Sequence, residues 1–233
     1  KVEVPLPPLK EQKRIVELLD AATACVTELN ACYEQARTHV NNLFTSALRS
    51  AIAGNAKWIS GALDDHCEVE YGTRVTRKRD GGTKYPVYGG GGATFNLDDF
   101  NRQDQMIVSR FAMSEECVRF VPGKFFLNDS GLTVRTRDEL KMSQVFLDQQ
   151  LLARSSEIYA TARGTAQKNM DMTMFRSMEI AYPDSLKEQE RLIEELEKVR
   201  AKTSEMVVAY DAKLIAAKSL RQSILDAAFG GDL

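Results

Sequence analysis

The sequence predicts an α+β protein: one globular domain carried between two long helices that pair as an antiparallel coiled coil. Three observations lead there. The heptapeptide "LKEQKRI" at 9–15 returns as "LKEQERL" at 186–192. Each copy opens an apolar seam that repeats every 3.5 residues, the coiled-coil period. Between the two, residues 55–183 turn to period-two runs and glycine clusters.

The repeat extends well beyond the heptapeptide. Shifting the chain on itself by 177 residues aligns 9–54 with 186–231 without a gap and with 15 identities in 46 positions, from Leu9/Leu186 through Gln12/Gln189 and Tyr33/Tyr210 to Gly54/Gly231. A register held over that length means one structural part used twice. Steps of four and three from Ile15 reach Leu19, Ala22, Val26, Leu29, Tyr33, Ala36, Val40, Leu43 and Ala47, all apolar. The same steps from Leu192 reach Leu196, Val199, Thr203, Met206, Tyr210, Lys213, Ala217, Leu220 and Ile224, with two polar exceptions. Each helix would be roughly 60–68 Å long at 1.5 Å per residue. Ser185 to Glu188 fits an S-x-x-E capping box, Pro7 and Pro8 precede the first copy, and Gly54 and Gly230-Gly231 stand where helices stop. An isolated helix of this kind would leave its seam in water. The seams are expected to close on each other, antiparallel because the intervening domain starts and ends at one end of the rod; self-association through the same seams is the alternative.

Composition narrows the class without naming a partner. Hydrophobic residues are 43% and charged residues 27% of the 233, as in folded soluble chains. The sequence holds neither an apolar run approaching the ~20 residues of a membrane span nor a signal-peptide pattern, and a cytoplasmic protein is expected. Cys25, Cys32, Cys67 and Cys117 lack C-x-x-C spacing and read as reduced thiols. His66 adjoins Cys67, but His39 is the only other histidine, so no metal and no cofactor are expected. Net charge is −2, and residues 55–183 carry 17 basic and 17 acidic groups, so a nucleic-acid partner has to be argued from local clusters.

In the middle segment, strands are predicted around Val87–Tyr88, Gln105–Arg110, Cys117–Val121 and Leu132–Thr136, and a short helix at Ser143–Leu152. Four loops draw attention. "GTRVTRKRDGGTK" (72–84) gathers Arg74, Arg77, Lys78, Arg79 and Lys84, a spacing suited to phosphates and guanine edges or to a solvated basic loop. "YPVYGGGGATF" (85–95) lacks the G-K-[ST] and following helix of a P-loop; it reads as a turn needing positive φ, or as backbone close to a ligand. "VSRFAMSEE" (108–116) ends a strand at Arg110, and "TARGTAQKNMD" (161–171) offers Arg163, Thr165, Gln167, Lys168 and Asn169, side chains able to read base edges.

The order of these parts, "VPLPPLKEQKRIVELLD", a long helix, "YPVYGGGG", "GTAQKNMD", then "YPDSLKEQERLIEELE" and a helix ending "AAFGGDL", resembles the specificity subunits of type I restriction–modification systems over essentially the whole chain. The resemblance implies two target-recognition domains alternating with two spacer helices, each domain reading half of a split site in double-stranded DNA. It implies a non-catalytic subunit that bridges two methyltransferase subunits and, through them, joins endonuclease-translocase subunits. The present sequence has one such domain, so the expected organisation is an exit strand of a preceding domain at 1–8, spacer helix 1 at 9–54, a target-recognition domain at 55–183 and spacer helix 2 at 184–233. Half of a longer subunit and a natural half-subunit that homodimerises both fit. The expected DNA contacts are Arg74, Thr76, Arg77, Lys78, Arg79, Lys84, Tyr88, Gly90, Arg110, Arg163, Thr165, Gln167, Lys168 and Asn169. Two other classes compete: a recognition fragment of a fused methyltransferase–nuclease, whose N-P-P-Y or D-P-P-Y tetrapeptide is absent here, and a structural coiled-coil adaptor.

Overall fold

The structure, a computed structural model, describes residues 7–54, 58–165 and 167–230. Apart from Pro7 and Pro8, the exit strand expected at 1–8 lies outside the described residues. In chain order the elements are α1 (Leu9–Gly54), β1 (Trp58–Ala62), α2 (Leu63–His66), β2 (Cys67–Tyr71), α3 (Arg77–Asp80), β3 (Tyr85–Tyr88), β4 (Ala93–Leu97), β5 (Arg102–Ser109), β6 (Val118–Leu127), β7 (Gly131–Thr136), α4 (Gln144–Ala153), α5 (Ser155–Ala160), β8 (Ala162–Arg163), β9 (Asn169–Met170), α6 (Met172–Arg176), β10 (Glu179–Pro183) and α7 (Leu186–Gly230). They form two compact units, residues 1–43 with 196–233, and residues 44–195.

The first unit is the coiled coil. Along α1 the covered positions are Ile15, Leu19, Ala22, Val26, Leu29, Tyr33 and Ala36, with exposed residues between them. Of the expected seam, the side chains of Val40 and Leu43 lie outside the described residues. On α7 the outcome differs. Leu196, Tyr210 and Ile224 are partly covered, but Val199, Met206 and Leu220 are 38%, 48% and 58% exposed, while Leu214 is buried. Leu196, Tyr210, Ala217 and Ile224 keep the expected seam, while the positions between them move one residue on, to Arg200 in place of Val199 and Leu214 in place of Lys213. The physical reason is Lys213. The expected seam would desolvate its ammonium; the observed phase puts Leu214 inward and leaves the Lys213 Nζ 5.9 Å from the centre of the Tyr210 ring.

The second unit is built on a mixed six-stranded sheet in the order β2-β7-β5-β6-β3-β4. Pairing is antiparallel except between β3 and β6, where Val87 and Tyr88 lie parallel to Phe126 and Leu127. Ile107, Val121, Phe125 and Leu127 form the core of the sheet, with the Tyr88 ring edge-on to Phe125 at 5.6 Å. The predicted strands are present within β3, β5, β6 and β7, and the predicted helix is α4, capped by Ser143 Oγ, which accepts from Phe146 N–H. β1 and β10 make a separate antiparallel pair, Trp58 opposite Pro183 and Ala62 opposite Glu179, so the segment enters and leaves at one place. Trp58 meets Phe146 of α4 with ring centres 6.3 Å apart.

The two copies of the helix-opening motif fold alike and end differently. Pro8 O accepts from the N–H groups of Glu11 and Gln12, and Ser185 O from those of Glu188 and Gln189. Arg14 pairs with Glu11 and Arg191 with Glu188. Glu188 is thus turned to Arg191, three residues ahead, and the reciprocal half of the expected capping box is replaced by this ion pair. Among the described residues Gln12 donates once, to Pro7 O at 2.7 Å. Gln189 is fully buried: its Nε2 donates to Lys141 O at 2.7 Å and Pro183 O at 2.8 Å, and its Oε1 accepts from Ser143 N–H at 2.9 Å. One amide thereby joins the start of α7 to the end of β10 and the cap of α4.

Asp148 on α4 gives a testable pH dependence. Burial raises its carboxyl to about 6, partly opposed by the Gln144 Nε2–H that it accepts at 2.8 Å. The folded state thus holds this proton more tightly than the unfolded chain, where aspartate titrates near ~3.9. Stability contributed by the protonated form is complete below pH ~4 and is lost as pH rises to about 6. Asp148→Asn, whose amide oxygen can still accept from Gln144, is expected to gain about 1–3 kcal/mol at pH 7 and to flatten the decline between pH 4 and 6. Urea midpoints measured across that range check it; an unchanged slope would refute it.

Candidate nucleic-acid interface

Four of the loops and turns in the second unit are tied together by one short turn, Asn128–Gly131. Asn, Asp, Ser and Gly are the residues that turns favour, since their short side chains bond nearby backbone or tolerate positive φ. Here Asn128 Oδ1 accepts from Ser130 N–H, and Asn128 O from Gly131 N–H. The segment after β2 lies on this turn: Gly72 N–H donates to Gly131 O and Thr73 N–H to Leu127 O, and Asn128 Nδ2 reaches Val75 O. The glycine loop after β3 is held by Ser130 Oγ, which accepts from Gly90 N–H at 3.2 Å. Arg110, after β5, donates its N–H to Ser130 O and its Nη1–H to Asp129 O. The β8–β9 hairpin joins through Met170 N–H to Arg110 O, Met113 N–H to Lys168 O and Ala112 N–H to Asn169 Oδ1. Ala112 has φ +48, a left-handed conformation held between these bonds.

The structure thus brings Arg110, Lys168 and Asn169 together and sets the start of the 72–84 loop on the same turn. The Arg110 guanidinium lies 4.7 Å from the centre of the Tyr71 ring and 4.4 Å from that of Phe111, both exposed aromatics. Stacking between two rings fixes the plane of the guanidinium. Arg74, Thr76, Lys78 and Lys84 are exposed, as are Thr165 and Gln167 in the β8–β9 connection, where Gly164 has φ +114. Among the described residues the side chains of Arg74, Lys78 and Lys84 have no polar partner.

Other expected contacts are engaged within the chain. Residues 77–80 are not loop but one helical turn, α3, in which Arg77 donates to Thr94 O at 2.6 Å and Arg79 pairs with Asp80 at 2.9 Å. Thr76 N–H donates to Asp80 Oδ2, and Arg163 pairs with Asp171 at 2.8 Å. Tyr88 is partly buried and packs against the sheet core, and Gly90 is buried with both backbone groups bonded within the chain. Gly90 is required by the fold: a Cβ there would lie 2.3 Å from Phe111 O.

Residues that the sequence reading passed over are Tyr71, Phe111, Arg119, Ser109 and the Asn128–Gly131 turn. Only the turn carried a local signal, its N-D-S-G composition. Elsewhere the chemistry is structural. Cys67 is fully buried and its thiol is pushed up to about 12 by burial, which removes it as a nucleophile. His66 Nδ1 bonds the Tyr182 hydroxyl at 3.1 Å. A hollow of about 380 Å³ beside Glu70, Arg102, Asp104, Arg135 and Glu139 is polar, and Arg102 pairs with Glu70 across it at 3.2 Å. Among the described residues no three histidine, cysteine or acidic side chains are grouped as metal ligands would be, and no helix is long and apolar enough to cross a membrane.

These features define a class: an α+β domain set between the two helices of an antiparallel coiled coil. Solved structures with that fold come from type I restriction–modification systems. A chain from a structure describing complex assembly and conformational transition of a type I system matches with a TM-score of 0.73, 22% identity and 99% of this chain covered. The HsdS subunit from Thermoanaerobacter tengcongensis matches with a TM-score of 0.58, 22% identity and 99% coverage. The S subunit of a type I system from M. genitalium matches with a TM-score of 0.52, 23% identity and 58% coverage. The present chain spans 62%, 61% and 37% of the lengths of these three. What is shared at these identities is the fold. No protein-family model and no curated protein matches the sequence.

Proposed function

We propose that the chain is the DNA sequence-recognition subunit of a type I restriction–modification complex. In this reading the domain at 55–183 binds one half of a bipartite double-stranded site, and the coiled coil scaffolds the methyltransferase subunits and, through them, the endonuclease-translocase. The observation that carries it is the fold shared over 99% of the chain with a type I system subunit. The loops joined at Asn128–Gly131 support it by combining two things that a duplex reader needs, exposed cations able to meet phosphates and side chains whose chemistry can pair with base edges. Arg110, Lys168 and Asn169 are the base-edge candidates; Arg74, Lys78 and Lys84 are the phosphate candidates. The chain supplies no chemistry of its own, and the second half-site is read by another domain, in a partner copy or elsewhere. The setting is the cytoplasm, where Cys25, Cys32, Cys67 and Cys117 remain thiols.

The test is methylation mapping with this chain and its cognate methyltransferase subunit. Methylation at a split site that depends on this chain is the expected result. A palindromic site would identify a homodimer, an asymmetric one a second, different domain. Methylation without sequence preference, or by this chain alone, would overturn the proposal.

A further inference from the structure

Arg119 is an anomaly of the fold. It stands in β6 between Val118 and Phe120, opposite Ile107 of β5. Its guanidinium turns under the glycine loop: Nη2 donates to Gly90 O at 2.7 Å and lies 3.5 Å from both Ser109 Oγ and Glu116 O. These acceptors are two carbonyls and a hydroxyl, with no carboxylate among the described residues, and its buried Nε has no hydrogen-bond partner. A sheet strand has no need of such a group. The side chain is half-buried, and seating its cation against carbonyls with no counter-charge adds little stability that an apolar side chain of similar volume would not supply. Local rules broken in this way mark function.

What Arg119 holds is equally specific. Gly90 O also accepts from the buried Ser109 hydroxyl at 2.8 Å, and Gly90 N–H donates to Ser130 Oγ. Gly90 lies directly against Phe111 O. Through Gly90 and Glu116, Arg119 joins the glycine loop to both ends of the 110–116 loop. That loop carries Arg110 and is itself bonded to Lys168, Asn169 and Met170.

We infer that Arg119 is the positioning residue of the DNA interface: acting through Gly90 O, it sets the glycine loop and the Arg110 loop in one fixed relation, and base discrimination depends on it without its touching DNA. This rests on the reading of the domain at 55–183 as a duplex reader, and the experiment separates the two. The full-length chain selects from a random duplex library at low salt, and its preferred duplex is compared with random duplex of equal length. If the wild-type chain enriches no sequence, the duplex-reader reading fails and the inference falls with it.

Given enrichment, Arg119→Met is expected to reduce the preferred-over-random affinity ratio at least about fivefold, the low end of one lost base-edge pair. The salt dependence of random-duplex binding should stay unchanged. Arg119→Lys, which can still reach one carbonyl, should recover part of the ratio. A wild-type ratio in Arg119→Met overturns the inference while leaving the duplex reader intact. So does a salt slope shallower by about 0.9, since that is the mark of one lost phosphate contact. If Arg119→Met does not fold, Ser109→Ala removes the other donor to Gly90 O; it should lower the ratio in the same direction, and an unchanged ratio overturns the inference.

Discussion

Replacing Arg74, Lys78 and Lys84 together by alanine is expected to make the salt dependence of duplex binding shallower by up to about 2.7 in log K against log salt, three contacts at ~0.9 each. These three are exposed and have no polar partner among the described residues. Their charge is available to phosphate, and each phosphate they neutralise releases counterions. Arg77, Arg79 and Arg163 make the contrasting set. They are as basic and as exposed, but each is spent on Thr94 O, Asp80 or Asp171. Their triple alanine variant should change the slope by much less per charge. Fluorescence anisotropy with a labelled duplex over 50–200 mM salt measures both. Equal effects per charge would show that engagement within the chain does not decide which cations grip DNA.

Gln189→Ala should be the most destabilising single change in the chain outside the apolar core, at about 3–5 kcal/mol. It removes three hydrogen bonds from a fully buried amide and leaves Lys141 O, Pro183 O and Ser143 N–H without these partners. Gln189→Glu should be no better, because a carboxylate would face two carbonyl oxygens. The repeat supplies an internal control. Gln12, at the same place in the first copy, makes one side-chain bond among the described residues, to Pro7 O, and Gln12→Ala is expected to cost about 0.5–1.5 kcal/mol. Trp58 is the only tryptophan and packs on Phe146, so its fluorescence follows unfolding of the domain directly. Comparable denaturant midpoints for the two variants would show that the buried amide does not hold α7 to the domain.

The parts of this fold that could be read from sequence are those whose signal is local. A seam every 3.5 residues can be counted, and so the two helices were legible, as were the strands with clear alternation. The face of α7 was not, because the seam chosen there admitted Lys213, whereas one residue further lies Leu214. Burial of a charge outweighed a period carried over from the other copy. The sheet order was illegible for a different reason: β3 pairs in parallel with β6, and β5 lies between β6 and β7, relations that no neighbouring residues encode. In the candidate site, clusters of lysine and arginine were visible, but which of them were already engaged was not. Asp80 and Asp171, which carry no signal of their own in the sequence, are the partners of Arg79 and Arg163. Gly90 was legible as a special glycine, but not the reason for it, which is the carbonyl of Phe111 lying where a Cβ would be.

The pairing of β1 with β10 bears on how such proteins change. Trp58 and Pro183 are opposite each other, so the 126 residues from one to the other begin and end within one strand-to-strand spacing. A segment whose ends already meet can be exchanged for another of different length and loop sequence without lengthening, shortening or bending the helices on either side. The residues joining it to α7 favour this as well, since Gln189 takes hold of backbone atoms at Lys141, Ser143 and Pro183 and not of side chains. Any replacement that presents two carbonyls and one N–H at those places fits the same socket. Under the proposed function, recombination at the two short junctions gives a new sequence preference in one step and leaves the helices as they were.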